Sequence, residues 1–207
     1  MNESMTVHEA ILQAAETEFL EKGFQAASLR NISKTAGVTT GAFYRYYPSK
    51  EALFADLVEP HASYVKNIFL SAIEAWDKLP NSEKPYHMDE CSGLCIDTML
   101  DYIYENYTKF KLLICASGGT IFEDFIHELV EEEVSSTFRC AEILRSLGHD
   151  IPDMEHDLWH MVSSALFSGI FEIVVHDMDK EDAKRRVALL QDFFNGGWSR
   201  LMNFEFQ

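Results

Sequence analysis

The residues with the clearest chemical potential lie between Lys22 and Lys50, a stretch that contains no acidic residue. The whole chain has 34 Asp and Glu against 17 Lys and Arg, with a formal net charge of −17. Hydroxyl, aromatic and basic side chains follow one another here, and such groups bind phosphate oxygens and base edges. Most of the remaining surface should repel nucleic acid, so this stretch predicts a local surface that meets DNA phosphate.

Two short helices joined by a glycine turn would present these groups. Ser28 is a favourable N-cap for the first helix, which Gly37 ends. The second helix is predicted from Thr39 to about Tyr46, and Pro48 terminates it. Such a pair is typical of a helix-turn-helix unit, whose second helix enters the major groove. An ordinary helical hairpin with an acid-poor face is the alternative.

Helical spacing continues through almost all of the remaining sequence, which predicts an all-α fold of about nine helices. Helix one should cover Val7 to Lys22, with Thr6 and Glu9 forming a capping box. Helix four should run from Ser49 toward Trp76, with a kink or break near Leu57 caused by Pro60. The later helices are predicted over residues 88–106, 107–115, 121–147, 153–177 and 180–202.

The stretch from Ile32 to Leu53 closely resembles the N-terminal domain of TetR-family transcriptional regulators. The family features present are Ala36-Gly37-Val38, Gly41, Phe43-Tyr44, an aromatic residue at Tyr47, and Ser49-Lys50-Glu51. Tyr47 replaces the usual phenylalanine, and Pro48 replaces a usual polar or basic residue. The resemblance implies a helix-turn-helix DNA-binding domain over 1–50, with its motif at about 28–47, and a larger effector-binding and dimerisation domain over 51–207.

The resemblance also implies a mode of action. A homodimeric, cytoplasmic repressor would leave an inverted-repeat operator in double-stranded DNA when a small molecule binds the C-terminal domain. Base reading is expected mainly from Thr40, Gly41, Tyr44 and Arg45. The full set of expected operator contacts is Ser28, Thr39, Thr40, Gly41, Tyr44, Arg45, Tyr46 and Lys50. The effector, the operator sequence, the regulated genes and the choice between repression and activation stay open.

Aromatic and sulfur-containing residues of the C-terminal half form a candidate pocket for a hydrophobic effector. They are Tyr102, Tyr104, Phe110, Phe122, Phe125, Trp159, Met161 and Phe167, and each is also compatible with ordinary core. Wide apolar stripes on helices eight and nine predict a dimer interface, with purely internal packing as the alternative. Its expected members are Leu166, Gly169, Ile170, Ile173, Phe194, Gly197, Trp198 and Leu201.

Other functional classes have less support. His87, Cys91 and Cys95 recur every four residues and could bind a metal or sense oxidants, so a metal- or thiol-responsive regulator on the same scaffold is the alternative. No fourth ligand is evident, and we expect neither a metal nor a cofactor. The acidic run from Glu128 to Glu133 is the only support for a partner-binding protein without a DNA role. Nucleophile motifs and glycine-rich phosphate loops are absent, which argues against an enzyme. We see no signal peptide and no long uncharged apolar run, so a membrane partner is not expected.

Overall fold

The computed structural model describes residues 5–205, apart from the side chains at 89 and 90. Over that range the chain is all-α, as the sequence predicts, and no strand occurs. Nine α-helices and one short 3₁₀ turn, Lys84–Tyr86, follow one another. The helices are α1 (Val7–Ala26), α2 (Leu29–Thr35), α3 (Thr40–Phe43), α4 (Lys50–Asp77), α5 (Met88–Glu105), α6 (Tyr107–Cys115), α7 (Phe125–Ser146), α8 (His156–Val175) and α9 (Lys180–Met202).

The chain divides into two compact units. The first comprises residues up to Ser63 together with Asn106–Asp124, and the second comprises Tyr64–Glu105 together with the chain from Phe125 onward. Helix α4 therefore begins in the first unit and ends in the second. The boundary expected at residues 50/51 separates a DNA-binding domain from an effector-binding domain, whereas the two units are separated by compactness alone. The functional boundary stays a prediction.

Helix α1 and an aromatic cluster organise the first unit. The expected capping box forms, because the Glu9 carboxylate accepts the Thr6 N–H at 2.7 Å and the Thr6 hydroxyl accepts the Glu9 N–H at 3.2 Å. Gly23 has a φ of 71°, which interrupts the helical geometry before Phe24. The Phe24 N–H then donates to the Ala116 carbonyl at 2.8 Å, which ties the end of α1 to the chain after α6.

Helix α4 continues through Pro60. The sequence predicts a kink or break near Leu57, but no break occurs, and one helix runs from Lys50 to Asp77. A proline removes one backbone hydrogen bond and strains the preceding turn. Here Pro60 lies on the exposed face while Leu57, Val58 and Ala62 are buried, so packing of the opposite face holds the helix together.

Helix α8 is the most apolar element of the second unit. It is long and apolar enough to cross a membrane by those two criteria alone. It nevertheless packs against both α7 and α9 and buries Trp159, Phe167 and Phe171, as a core helix does. The Trp159 ring stacks on the Trp198 ring of α9 at 5.2 Å between centroids.

Candidate nucleic-acid interface and interior pocket

Local hydrogen bonds build the helix-turn-helix unit. The Ser28 hydroxyl caps α2 by accepting the Asn31 N–H at 3.4 Å, and the Thr39 hydroxyl caps α3 by accepting the Ala42 N–H at 3.1 Å. Between them Gly37 has a φ of 71°, which glycine adopts without steric cost. A left-handed residue at this point ends α2 and turns the chain into α3.

Glu18 fixes the start of α2 from the preceding helix. Its carboxylate accepts the Ser28 N–H at 3.0 Å and the Asn31 amide at 3.3 Å. The Lys22 ammonium, 2.7 Å away, lowers the pKa of this carboxyl, with the hydrogen bond from Ser28 acting in the same direction. Sequence reasoning missed this role, because a glutamate on a mostly apolar helix face gives no local signal of a contact ten residues away.

Helix α3 is shorter than the sequence predicts. It covers Thr40–Phe43, and the chain then continues through tight turns in which the Arg45 N–H donates to the Ala42 carbonyl at 3.2 Å. The Tyr46 N–H likewise donates to the Phe43 carbonyl, at 2.9 Å. These i→i+3 bonds keep residues 44–46 coiled, so their side chains still project from the same surface region as α3.

Burial separates the packing residues of this unit from its solvent-facing residues. Ile32 and Phe43 are fully buried, and Tyr47 is buried beside Phe43 with ring centroids 6.0 Å apart. Residues 44–46, between Phe43 and Tyr47, face solvent, and Tyr44 is 53% exposed. The exposed residues from the expected contact set are Thr39, Thr40, Gly41, Tyr44, Arg45 and Tyr46.

Gly41 has no role in the internal packing of the chain. A Cβ placed there would meet nothing closer than the Thr39 hydroxyl oxygen at 4.0 Å, and its φ is not in the left-handed region. Gly37 differs, because its φ is positive and side-chain-bearing residues rarely adopt that backbone conformation. The internal packing and backbone geometry of the chain therefore do not require a glycine at position 41.

Lys50 takes a different position from the expected phosphate contact. Its ammonium donates to the carbonyls of Phe24, Gln25 and Ala27 at 2.7, 3.1 and 3.1 Å. It also lies 4.5 Å from the centroid of the Phe24 ring. An ammonium has three hydrogens, and all three are directed at carbonyls at the end of α1. Lys50 thus joins α4 to α1, and we do not retain it in the proposed interface.

The remaining basic residues of the acid-free stretch differ in their partners. Lys22 pairs with Glu18, and Lys50 is held by the carbonyls of the α1 end. Arg30, Lys34 and Arg45 are exposed, and within residues 5–205 none of them forms an ion pair. Three guanidinium or ammonium groups near α2 and α3 are therefore available to an external anion.

The contacts of the Tyr47 hydroxyl explain why this position carries a tyrosine in place of the usual phenylalanine. Its hydroxyl donates to an Asp56 carboxylate oxygen at 2.5 Å, and the His8 Nε2 lies 2.7 Å from the same hydroxyl oxygen. Burial, followed by the Asp56 carboxylate, raises the pKa of Tyr47 well above its usual value. The phenol therefore links α1, the end of the motif and α4 through one hydrogen-bonded group.

The second unit contains a partly open pocket of about 120 Å³. Helices α4, α5, α7, α8 and α9 all contribute to its wall. The wall is largely aromatic and sulfur-bearing, and includes Phe69, Trp76, Met99, Phe167, Trp198 and Met202. A cavity of this kind suits a small apolar molecule.

One acidic side chain faces this pocket. Glu133 of α7 lines it, and burial raises the pKa of its carboxyl to about 7, a shift that the hydrogen bond from Thr137 partly opposes. The adjacent thiols of Cys95 and Cys140 also have pKa values of about 12, raised mainly by burial. Thiols that stay protonated react slowly with oxidants, so Cys95 and Cys140 do not support the thiol-responsive alternative.

The eight expected pocket residues are dispersed. Phe167 lines the pocket, and the other seven lie outside it. Phe110 and Phe122 belong to the first unit, and Met161 is 68% exposed. The remaining four pack elsewhere in the second unit: Tyr102 against Tyr64, Phe125 against Phe171, Trp159 against Trp198, and Tyr104 through its hydroxyl to the Met178 carbonyl. The abundance of aromatic residues in the sequence does not indicate which helix faces meet at the pocket.

The expected dimer residues also divide between interior and surface. Ile170 and Ile173 are buried within the chain, and Trp198 lines the pocket together with Leu166. Gly169 packs against α9, because a Cβ there would lie 2.9 Å from a Leu190 methyl. Burial therefore places Ile170 and Ile173 in the core of the chain, whereas a dimer role for Leu166, Gly169 and Trp198 stays a prediction. Phe194 and Leu201 are partly exposed, and Gly197 is exposed with open space around it.

A histidine–carboxylate cluster joins α7 and α8 on the surface of the second unit. The His160 Nε2 lies 3.2 Å from a Glu131 carboxylate oxygen and 3.4 Å from the His127 Nδ1. The three ligand atoms lie within 4.8 Å of one another, which would suit a metal ion. His127 and Glu131 are four residues apart on α7, and sequence reasoning missed the cluster because it depends on the approach of His160 from α8.

Comparisons with known proteins agree with this architecture. A family model described as bacterial regulatory proteins of the tetR family matches residues 11–57. The Bacillus subtilis protein described as the uncharacterized HTH-type transcriptional regulator YdgC is 32% identical over 166 residues, which cover 77% of this chain and 81% of that protein. These matches define the class of this protein as a DNA-binding transcriptional regulator with a helix-turn-helix unit. The chain belongs to the TetR family.

Solved structures share the fold at lower identity. A γ-butyrolactone receptor, described as ArpA-like, is 20% identical with a TM-score of 0.60, and the match covers 92% of this chain and 87% of that one. The regulator FadR from Bacillus subtilis, solved with stearoyl-CoA, is 15% identical with a TM-score of 0.53, and the match covers 88% and 95%. At such identities the likeness concerns the fold alone.

Proposed function

We propose that this chain acts in the cytoplasm as a homodimeric repressor that leaves an inverted-repeat operator when a small hydrophobic effector enters the pocket of the second unit. The observation that carries the DNA-binding part is the solvent-facing surface of α3 and of the turns at residues 44–46 that follow it. It combines hydroxyls, phenols and a guanidinium with a bare backbone at Gly41, and no carboxylate interrupts it. Thr40, Gly41, Tyr44 and Arg45 would read bases, while Ser28, Thr39 and Tyr46 would contact phosphates.

Selection from random DNA duplexes tests this interface. At about 50 and 200 mM salt, the retained DNA should contain an inverted repeat, and affinity should fall steeply as salt rises because counterions are released. Arg45→Ala should weaken operator binding or relax its sequence preference. Lys78→Ala removes the same charge from an exposed side chain of the second unit and is the matched control. If both variants bind as the wild type does, α3 is not the reading element.

Gly41→Ala gives a sharper test, because stability and DNA affinity should change in opposite directions. An alanine Cβ has room inside the chain, and helices favour alanine over glycine by up to about 1 kcal/mol. The variant should therefore melt at the same temperature as the wild type or higher. Its operator affinity should nevertheless fall, because the methyl group would hold the helix backbone away from the bases. Unchanged operator affinity would contradict the proposed close approach.

The exposed faces of α8 and α9 support the homodimer. On α8 the exposed positions recur every three or four residues and are mostly apolar: Leu158, Met161, Ala165, Ser168, Glu172 and Val175. On α9 the corresponding face carries Leu189, Phe193 and the two glycines Gly196 and Gly197. Phe193 is 74% exposed in the single chain. A symmetric pairing of these faces would form a bundle of two helices from each subunit.

Sedimentation of a Phe193→Glu variant tests this pairing. The wild type should sediment as a dimer and the variant as a monomer, since a charge would be buried at the centre of the interface. Ile121 is 82% exposed and lies in the first unit, so Ile121→Glu is the matched control and should stay dimeric. A Phe193→Glu protein that stays dimeric would show that the subunits pair through another surface.

Helix α4 supports the coupling between effector and operator. It carries Lys50, which holds the end of α1, and it also contributes Phe69 and Trp76 to the pocket wall. A ligand that moves this helix would act on the first unit through a continuous backbone. Converting a mostly bound operator population into a mostly free one requires about 10⁴-fold preference of the ligand for the released state. If Pro60→Ala kept operator affinity and effector response unchanged, the proline would have no part in this coupling.

A further inference from the structure

Glu133 is an isolated acidic group in an otherwise uncharged pocket. The wall contributed by α4, α8 and α9 consists of apolar residues and one amide, Asn195. Among the described lining residues, Glu133 is the only one with a carboxylate, and none carries a basic group. Glu133 lines the pocket and is partly accessible.

Among the residues that the structure describes, none provides a counter-charge for this carboxylate. Its hydrogen-bond partner is the Thr137 hydroxyl, one turn along α7. The buried ammonium of Lys84 is directed to the Asn81 side-chain oxygen at 3.1 Å and lies 5.2 Å from the centroid of the Trp76 ring. Within the described residues, no Lys, Arg or His forms an ion pair with Glu133. A buried acid is stabilised in its charged form only when a cation or several donors face it.

We propose that the pocket binds a compact hydrophobic organic cation, whose ammonium group meets the Glu133 carboxylate while its apolar part packs against the aromatic wall. This inference rests on the proposed function in one respect, namely that this pocket is the effector site. Aromatic faces and methionine sulfur also favour a cation electrostatically. An anionic ligand would face the ionised Glu133 carboxylate without a compensating positive group, and a neutral ligand would gain nothing from its charge.

The size of the pocket narrows the class further. A volume of about 120 Å³ is comparable with cavities of about 150 Å³ that hold one aromatic ring. An amine on a single aromatic ring with a short alkyl linker fits this description better than a long-chain or multi-ring molecule.

Binding of such a cation should depend on pH. The carboxyl of Glu133 has a pKa of about 7, so its ionised fraction rises by about tenfold between pH 6 and pH 8. The other titratable groups facing it are Cys95 and Cys91 of α5, and Cys140 of α7, with Lys84 close to Cys140. Cys95 and Cys140 remain neutral over this range because their pKa values are about 12. The affinity of a cation should therefore increase with pH.

Calorimetric titration with three probes of similar size tests the proposal: benzylamine, benzyl alcohol and benzoate. The full-length protein without DNA should bind the amine about tenfold tighter than the alcohol at pH 8, and should bind the carboxylate most weakly. The preference for the amine should shrink at pH 6. Glu133→Gln should bind the amine and the alcohol equally, whereas Glu132→Gln, which changes a neighbouring carboxylate outside the pocket, should behave as the wild type.

Several outcomes would overturn the proposal. They are binding of none of the probes, equal binding of alcohol and amine by the wild type, or an amine preference that survives in Glu133→Gln. If Glu133→Gln does not fold, the wild type gives the answer: an amine preference that is the same at pH 6 and pH 8 would overturn the proposal. Operator release is measured separately. An amine that binds through Glu133 but leaves the operator complex intact would refute the proposed effector role of the pocket and leave its ligand chemistry standing.

Discussion

Replacing Lys50 separates a structural lysine from a DNA-binding one. Lys50→Met keeps the length of the side chain but removes three ammonium hydrogen bonds to the carbonyls of Phe24, Gln25 and Ala27. A hydrogen bond to a charged group contributes about 1.5–3 kcal/mol. The three bonds share one ammonium, and Lys50 is only partly buried, so water can reach some of the carbonyls after the change. We therefore expect a loss of about 2–4 kcal/mol in the free energy of unfolding, less than the sum of three separate bonds.

Urea unfolding at fixed protein concentration measures this loss, and Arg45→Met is the matched comparison. Arg45 is exposed and has no partner among the described residues, so its replacement should change stability by less than about 0.5 kcal/mol. Operator affinity should fall in Arg45→Met because a proposed contact to the DNA is lost, without any unfolding of the protein. In Lys50→Met it should fall only to the extent that the first unit unfolds, and low temperature should restore it. If Lys50→Met is as stable as the wild type and binds DNA as weakly as Arg45→Met, the structural assignment is refuted.

Three further changes should affect stability in ways that follow from single contacts. Tyr47→Phe removes the hydroxyl that donates to Asp56 at 2.5 Å and should cost about 1 kcal/mol in urea unfolding, with no loss expected in a Tyr44→Phe control. Ser163→Ala removes a buried hydroxyl that has no hydrogen-bond partner among the described residues, so the variant should be as stable as the wild type or more stable by up to about 1 kcal/mol; a clear loss of stability would mean that the hydroxyl is bonded. Asp101 accepts from Lys180 and Lys184 at 2.7 Å each, and these lysines lower its pKa from 3.8 to about 2. Because the folded pKa is depressed, the stabilisation is present above about pH 4 and lost as pH falls toward 2; Asp101→Asn should show a weaker acid dependence in that window, and an identical acid profile would contradict the assignment.

The sequence by itself determined the local features of this protein. Helix periodicity gave the all-α class, and Thr6, Ser28 and Thr39 marked helix starts that the structure confirms as side-chain caps. The motif around Gly37 and Phe43 identified the family, because its spacing reflects contacts between residues close together in the chain. Capping, turns and amphipathic faces depend on neighbours within about four residues. They can therefore be predicted from the sequence without knowledge of the tertiary structure.

Tertiary structure alone decided which distant residues meet. Lys50 has the type and position of a phosphate contact, yet three carbonyls from the end of α1 surround its ammonium. Ile170 belongs to an apolar stripe that suits either a dimer or a core, and its burial assigns it to the core. Glu133 belongs to an acidic run that looks solvated in sequence, but its side chain faces a pocket built by five helices. Charge and hydrophobicity state what a residue can do, whereas its partners depend on helix orientations that no local pattern encodes.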